Sequence, residues 1–163
     1  MALNKHKNPR VLPEPQLEFI FEAKVLLGQV QNLGETTYGK RRIIPVVGGS
    51  FEGPDIKGTI LSGGSDWQTI RTDGTADLDA RYTLKTDDDI LIYFQDRGIR
   101  VAPPEVLARM AKGEIIDPSE YYMRTAATFE VSEGKYYWLT ESVIICTSAR
   151  LLDHVLIQFY KVL

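Results

Sequence analysis

Alternate residues of the segment from Thr75 to Thr86 place two acids and an arginine on one side of the chain. Read with period two, that side carries Asp77, Asp79 and Arg81, and the opposite side is apolar through Ala76, Leu78, Ala80, Tyr82 and Leu84. This pattern predicts a β-strand with one apolar and one charged face. In a cavity, Asp79 would serve as a general acid or base beside the cation of Arg81. On a solvated face the same pair would contribute only about 0–1 kcal/mol.

Two further segments carry candidate site residues. Gly63 and Gly64 precede Asp66 and Trp67, so a carboxylate stands beside a large apolar ring, which suits a ring-shaped ligand near a titratable group. The alternative is a tight turn in which the Asp66 carboxylate accepts hydrogen bonds from backbone amides and Trp67 lies in the core. Arg124 lies on a predicted strand whose face is either a polar cavity lining, with the arginine as anion partner, or a surface row.

Composition and motifs exclude several classes of function. The net charge is −3, and the basic run at residues 40–42 is too short for a nucleic-acid groove. Cys146 is the single cysteine, so no intrachain disulfide forms, and His6 and His154 are the two histidines. No metal-ligand spacing and no nucleotide, flavin or nicotinamide fingerprint occurs, so we expect no metal and no cofactor. No segment has the length of apolar residues that a membrane span requires, and we expect a cytoplasmic protein with no membrane or nucleic-acid partner.

The elements that must hold these residues are mostly strands. We predict a flexible tail over residues 1–14 and a single domain over 15–163. Asp73-Gly74 indicates a hairpin, and the residues from Pro103 to Lys112 predict one helix that ends at Gly113. Nine to ten strands at this spacing, joined by short hairpins, predict an all-β fold: an antiparallel up-and-down barrel with one inserted helix, which could lie across one mouth.

The motifs GGSFEG, GGSDWQ, DGTADLDARYTL and YMRTAATFE, in this order, resemble a bacterial and fungal family known only as a domain of unknown function. The resemblance runs from about Phe19 to Val162. It implies a single-domain antiparallel barrel, cytoplasmic and without a known metal or cofactor, but it supplies no activity. The family's recurrent polar and aromatic positions fall here on Glu52, Asp66, Trp67, Asp79, Arg81, Tyr82, Arg124 and Trp138, which favours a pocket in the lumen.

These residues support two main hypotheses. The first is a cofactor-independent enzyme of the isomerase, cyclase or hydrolase type, acting on a small aromatic or carbonyl-bearing metabolite. Asp79 and Asp66 would be its catalytic acid and base, and its ligand-binding residues would be Arg81, Arg124, Trp67, Trp138 and Glu52. The second is a non-catalytic ligand-binding barrel, or an oligomeric scaffold if the charged rows face water. The sequence does not decide whether the protein is an enzyme. Exposed aromatic residues on flat strands lead us to expect a homo-oligomer.

Overall fold

The computed structural model describes residues 11–163, which form ten strands, one α-helix and two short 3₁₀ turns. The helix α1 spans Pro104–Ala111, and the turns span Pro118–Glu120 and Tyr137–Glu141. The predicted all-β barrel with one helix is confirmed. Of the predicted tail, residues 1–10 lie outside the described residues. The strands are β1 (Leu17–Leu27), β2 (Gln31–Thr36), β3 (Gly39–Glu52), β4 (Lys57–Ile60), β5 (Gly64–Ile70), β6 (Ala76–Thr86), β7 (Leu91–Val101), β8 (Tyr122–Glu130), β9 (Ile144–Arg150) and β10 (His154–Val162).

The sheet closes on itself because β1 has a partner on each side. It pairs antiparallel with β10 along one edge and with β3 along the other. From β6 to β10 each strand pairs with the next along the chain, and the two short strands β4 and β5 both bridge β3 and β6. The barrel therefore has eight positions around its circumference, with β2 added as a hairpin on β3. Closure leaves these eight positions without a free sheet edge.

The long strand β3 runs through two residues that usually interrupt strands. Pro45 cannot donate to a ladder, and it lies next to the point where the β1–β3 register shifts, between Leu26 and Leu27. Gly49 has φ +140°, and a Cβ there would overlap the backbone carbonyl of Lys24 on β1. Glycine is therefore required at this close approach of β3 to β1. It allows the single strand β3 to pair with β5 through its first half and with β1 through its second half.

Aromatic side chains fill one end of the barrel. Phe21 stacks on Phe159 with ring centroids 4.1 Å apart, and Phe94 lies 5.2 Å from Phe129 and 5.5 Å from Phe159. These four rings are almost completely buried and form the centre of the main apolar cluster. Packed rings of this size occupy the lumen here, so any internal space must lie toward the other end.

The helix α1 lies over that other end. Its residues Leu107 and Met110 face the lumen, and Leu107 contacts the β5–β6 turn at Gly74. Val106 packs with Ile116 and Tyr121 in a second, smaller apolar cluster that fixes the helix to the barrel wall. The inserted helix thus covers part of one mouth, as the sequence suggested.

Candidate functional site in the barrel lumen

A cavity of about 820 Å³ occupies the end of the lumen beneath α1. Its walls are inward-facing residues of the strands, and its roof includes residues of α1 and of the segment that follows the helix. Much of the wall is apolar, with Val25, Val46 and Leu78 as examples. Polar side chains also line this cavity, among them Arg42, Asp66, Gln68, Tyr82, Asp96, Arg100, Thr125, Ser148 and Arg150. An apolar chamber with a few convergent polar groups is the usual form of a small-molecule site.

Asp96 is the most deeply buried acid that lines the cavity. It belongs to the inward face of β7, between Phe94 and Gly98, and is only 3% exposed. Burial, followed by the negative charge of Asp66, raises the pKa of Asp96 to about 7. The Thr125 hydroxyl, the strongest opposing influence, lowers this pKa, although no well-formed hydrogen bond joins Asp96 Oδ1 to Thr125 Oγ1. A carboxyl group with this pKa can either give or take a proton near neutral pH.

Several buried polar atoms of residues that line the cavity lack a hydrogen-bond partner among the described residues. They are Asp96 Oδ1, Tyr82 Oη, Thr125 Oγ1, Gln68 Oε1 and Arg100 Nε. All five residues line the same cavity. Buried polar atoms are normally paired, because leaving one unsatisfied costs about 1–3 kcal/mol. Their concentration in one chamber indicates that the partner is a ligand or solvent held in the lumen.

Asp66 also faces the lumen, but both of its carboxylate oxygens are engaged. Oδ2 accepts a hydrogen bond from Gln68 Nε2 at 2.8 Å, and Oδ1 accepts one from the backbone amide of Asp79 at 3.0 Å. The β5–β6 ladder has no residue pair between Asp66–Ala80 and Thr69–Asp77, so the side chain satisfies an amide that the ladder leaves free. Burial raises the pKa of Asp66, while the bonds from Gln68 and Asp79 oppose that rise.

Three arginines line the cavity from three different strands. Arg42 comes from β3, Arg100 from β7 and Arg150 from β9. Burial lowers the pKa of Arg100, and the positive charges of Arg42 and Arg150 lower it further. The pKa of Arg150 is lowered in the same way by burial and by Arg42. The three guanidinium groups are therefore close enough to repel one another.

The charged row of β6 faces away from this cavity, which corrects the expectation of a lumenal row. Ala76, Leu78 and Tyr82 take the inward positions, so Asp79 and Arg81 point outward. The Asp79 side chain is 23% exposed and that of Arg81 is 46% exposed. Asp79 accepts hydrogen bonds from Arg81 at 3.2 Å, Gln95 at 3.1 Å and Arg97 at 3.4 Å. Burial raises the pKa of Asp79, but these contacts outweigh it and hold the pKa below its usual value.

The other predicted ligand-binding residues also lie outside the cavity. Trp67 is 36% exposed on the outer face, with the Arg81 guanidinium 6.0 Å from the centroid of its ring. Arg124 is exposed and lies over the ring of Tyr122. Trp138 packs against the main apolar cluster from a 3₁₀ turn, and Glu52 borders a shallow depression on the outer surface. Of the seven predicted site residues, Asp66 alone lines the lumenal cavity.

The predicted site residues do not include Asp96, Arg100 or Arg150, although a signal for each was present. Asp96 and Arg100 share the parity of Ile92 and Phe94 on β7, and Arg150 shares that of the apolar residues of β9. A polar residue on the apolar parity of a strand is the sign of a lumenal group. The predicted residues were instead taken from continuous polar faces of strands, and in a barrel such faces normally point outward to solvent.

Neither a metal-binding cluster nor a membrane-spanning helix occurs in the part of the chain that the structure describes. No group of three or more histidine, cysteine, aspartate or glutamate side chains is arranged to hold a metal ion within residues 11–163. No helix of the same residues has the length and apolar character to cross a membrane.

Comparison with known proteins gives a family for this chain. The model of the family described as protein of unknown function (DUF3237) matches residues 15–162. The chain belongs to the DUF3237 family. It is 38% identical to an uncharacterised UPF0311 protein of Clostridium acetobutylicum over 138 residues, covering 85% of this chain and 84% of the relative. It is also 38% identical to a UPF0311 protein of Bradyrhizobium diazoefficiens over 151 residues, covering 93% and 99%.

Solved structures of similar proteins share the barrel. A protein of unknown function from Rhodopseudomonas palustris has a TM-score of 0.89 at 36% identity, covering 93% of this chain and all of the other. A β-barrel-like protein from Acinetobacter baumannii has a TM-score of 0.83 at 42% identity, covering 94% and 99%. An enzyme from Penicillium herquei has a TM-score of 0.70 at 23% identity, covering 96% and 100%. At that identity the likeness shows a common fold.

Proposed function

We propose that this DUF3237 protein binds a small aromatic or carbonyl-bearing metabolite in the lumen and performs cofactor-independent acid–base chemistry on it. The observation that carries the proposal is the position of Asp96, a buried carboxyl group with a pKa of about 7 that faces a chamber of about 820 Å³. An acid–base group works best when its pKa is near the working pH. Perturbed pKa values also concentrate at functional sites.

The groups around Asp96 suit a carbonyl substrate. The Tyr82 hydroxyl is buried without a partner, and burial, followed by the charge of Asp96, raises its pKa well above the usual value. It therefore stays protonated and can donate a hydrogen bond to a carbonyl oxygen or to the enolate that forms from it. Asp96 would then move a proton to or from the neighbouring carbon. Isomerisation, cyclisation and hydrolysis all fit these two groups.

The role of Asp66 in this proposal is to position other groups. Its two hydrogen bonds hold Gln68 and the β6 backbone, and its negative charge contributes to the high pKa of Asp96. The apolar walls would hold the ring or hydrocarbon part of the metabolite and exclude water from the reacting atoms.

Hydrogen–deuterium exchange tests the chemistry before the natural substrate is known. Simple ketones, lactones and β-keto esters would be incubated with the protein in D₂O, and exchange of the protons next to the carbonyl would be followed by ¹H NMR. We expect wild-type protein to accelerate exchange for some of these compounds. Asp96→Asn should lower that rate by about a hundredfold or more, because a general base typically contributes 10²–10⁴.

The matched control is Asp77→Asn, which removes an outward-facing carboxylate of β6 that pairs with Arg71. We expect it to exchange at the wild-type rate. Binding of the compounds without any exchange would favour the second hypothesis, a barrel that carries or senses a metabolite. Equal exchange by wild-type protein and Asp96→Asn would contradict the proposal.

Assembly and location stay predictions. The outer surface exposes several large apolar side chains, including Phe19, Val47 and Tyr122, which is compatible with the expected homo-oligomer. Light scattering coupled to size-exclusion chromatography would measure the number of subunits. The expected cytoplasmic location can be tested by fractionating cells that express the protein.

A further inference from the structure

We propose that the ligand of the lumenal site carries a carboxylate, and that Arg42, Arg100 and Arg150, which line the cavity together, bind this group. The inference rests on the proposed function, since it names the class of molecule that the chamber takes. It adds a binding subsite formed by three residues that are far apart in the sequence and converge only in the closed barrel.

The three arginines have little compensating negative charge beside them, since Asp66 is the acid whose charge raises the pKa of Arg100 and of Arg150. No salt bridge joins any of them to a carboxylate within the described residues. The arginines that do form salt bridges all have side chains at least 40% exposed: Arg71 with Asp77, Arg81 and Arg97 with Asp79, and Arg109 with Glu114 and Glu120. Three half-buried cations, with Arg42 repelling the other two, therefore lack the paired counter-ion that the protein supplies to its surface arginines.

Hydrogen bonding at Arg100 and Arg150 also favours a bound anion. Arg100 lines the cavity, and its Nε is buried without a hydrogen-bond partner among residues 11–163. The Tyr121 hydroxyl, which also lines this region, accepts a hydrogen bond from the Arg150 backbone amide at 3.0 Å. That bond fixes the backbone at Arg150, and no hydrogen bond engages its guanidinium group within residues 11–163. Guanidinium groups match the geometry of a carboxylate by donating two parallel hydrogen bonds.

Two acids in the chamber limit the negative charge that a ligand can carry. Asp66 and Asp96 lie in the same chamber, and either of them, when ionised, would repel an anion. A group with a single negative charge is therefore favoured over a doubly charged phosphate. The carboxylate at the arginines would leave the rest of the molecule directed toward Tyr82 and Asp96, where the proposed chemistry takes place.

A pair of probes tests the inference without knowledge of the natural ligand. Binding of 2-naphthoate and of 2-naphthamide, which differ in charge but hardly in shape, would be measured by calorimetry. We expect naphthoate to bind at least about tenfold more tightly than the amide, since hydrogen bonds to charged groups are the stronger ones. Arg42→Gln and Arg100→Gln should each weaken naphthoate binding by about tenfold or more and leave amide binding nearly unchanged.

The matched control is Arg41→Gln. Arg41 precedes Arg42 on the same strand but donates its hydrogen bond to the Trp67 carbonyl, outside the cavity. We expect this variant to bind naphthoate like wild-type protein. The comparison of the two probes on wild-type protein needs no variant, so poor folding of an arginine variant would not prevent the test.

Three results would overturn the inference. Equal affinity for naphthoate and naphthamide would contradict the carboxylate subsite while leaving the lumenal site of the proposed function standing. Displacement of naphthoate by low concentrations of inorganic phosphate would assign the arginines to a phosphate group. Failure of both probes to bind at millimolar concentration would overturn the carboxylate subsite and count against lumenal binding as well.

Discussion

Replacing Asp96 by asparagine should change how the stability of the barrel depends on pH. The folded pKa of Asp96 is about 7, and its ordinary value, which applies to the unfolded chain, is 3.8. Between these two values the folded protein holds a proton that the unfolded chain has released. The free energy of unfolding therefore falls as pH rises through this window. The stabilising contribution is fully present below the unfolded pKa and is lost above the folded one.

The size of the effect follows from the two pKa values. At about 1.4 kcal/mol per pH unit, the gap corresponds to about 4 kcal/mol in total. About 2.5 kcal/mol of this change falls between about pH 5 and about pH 8. The asparagine of the variant would have no proton to lose, and its shape is close to that of aspartic acid. Wild-type protein should therefore lose stability relative to Asp96→Asn across this interval.

Urea unfolding at a series of pH values measures the difference directly. Contributions from groups that do not interact with Asp96 cancel when the two proteins are compared at the same pH. Asp77→Asn is the control, because the hydrogen bond from Arg71 lowers the pKa of Asp77. Its contribution is present above the unfolded pKa and is lost only as pH falls through the lower folded value, so its difference from wild type should be flat between about pH 5 and about pH 8.

A flat difference between wild-type protein and Asp96→Asn over the same interval would refute the reasoning. It would mean that Asp96 is ionised in the folded barrel at neutral pH, either because water fills the chamber or because the carboxylate gains a partner. A ¹³C NMR titration of the Asp96 carboxyl carbon would then show a pKa close to the ordinary value.

Three further predictions concern the scaffold. Phe159→Ala should destabilise the protein by about 3–5 kcal/mol, measured by urea unfolding, because the ring stacks in the centre of the aromatic cluster. Gly98→Ala should lower the melting temperature or prevent folding, since a Cβ there would overlap the backbone carbonyl of Arg124; an unchanged melting temperature would contradict this packing. Arg81→Ala should leave the urea midpoint nearly unchanged and probe binding intact, because its ion pair with Asp79 is exposed. Loss of probe binding in that variant would mean that the outward-facing residues Asp79 and Arg81 belong to the binding site.

Alternation along the chain was enough to predict the architecture. The apolar parity of β6 and the Asp73-Gly74 turn recur in the structure as an inward face and a hairpin. Pro103 and Gly113 likewise mark the ends of the segment that contains α1. These features are local, because the choice between strand, turn and helix depends on residues within a few positions of one another.

The candidate site was predicted less well, because the direction of a strand face is not local. Asp79 and Arg81 form a conspicuous row, yet closure of the barrel directs them outward and directs Tyr82 inward. In a barrel of eight positions the inner face is enclosed and mostly apolar, so a row of charges is placed on the outside, where water solvates it.

The sequence by itself therefore determined the strands, their apolar faces and the family to which the chain is similar. Only the tertiary structure decided which polar residues meet. Asp96 and Arg100 are isolated polar residues on an apolar parity, as are Arg42 and Arg150, and none of these positions indicates its neighbours across the lumen. The register and closure of the sheet bring them to one chamber, and the aromatic rings that fill the other end of the barrel leave that chamber open. Burial in the chamber then gives Asp96 its raised pKa, a property that no local pattern of residues carries.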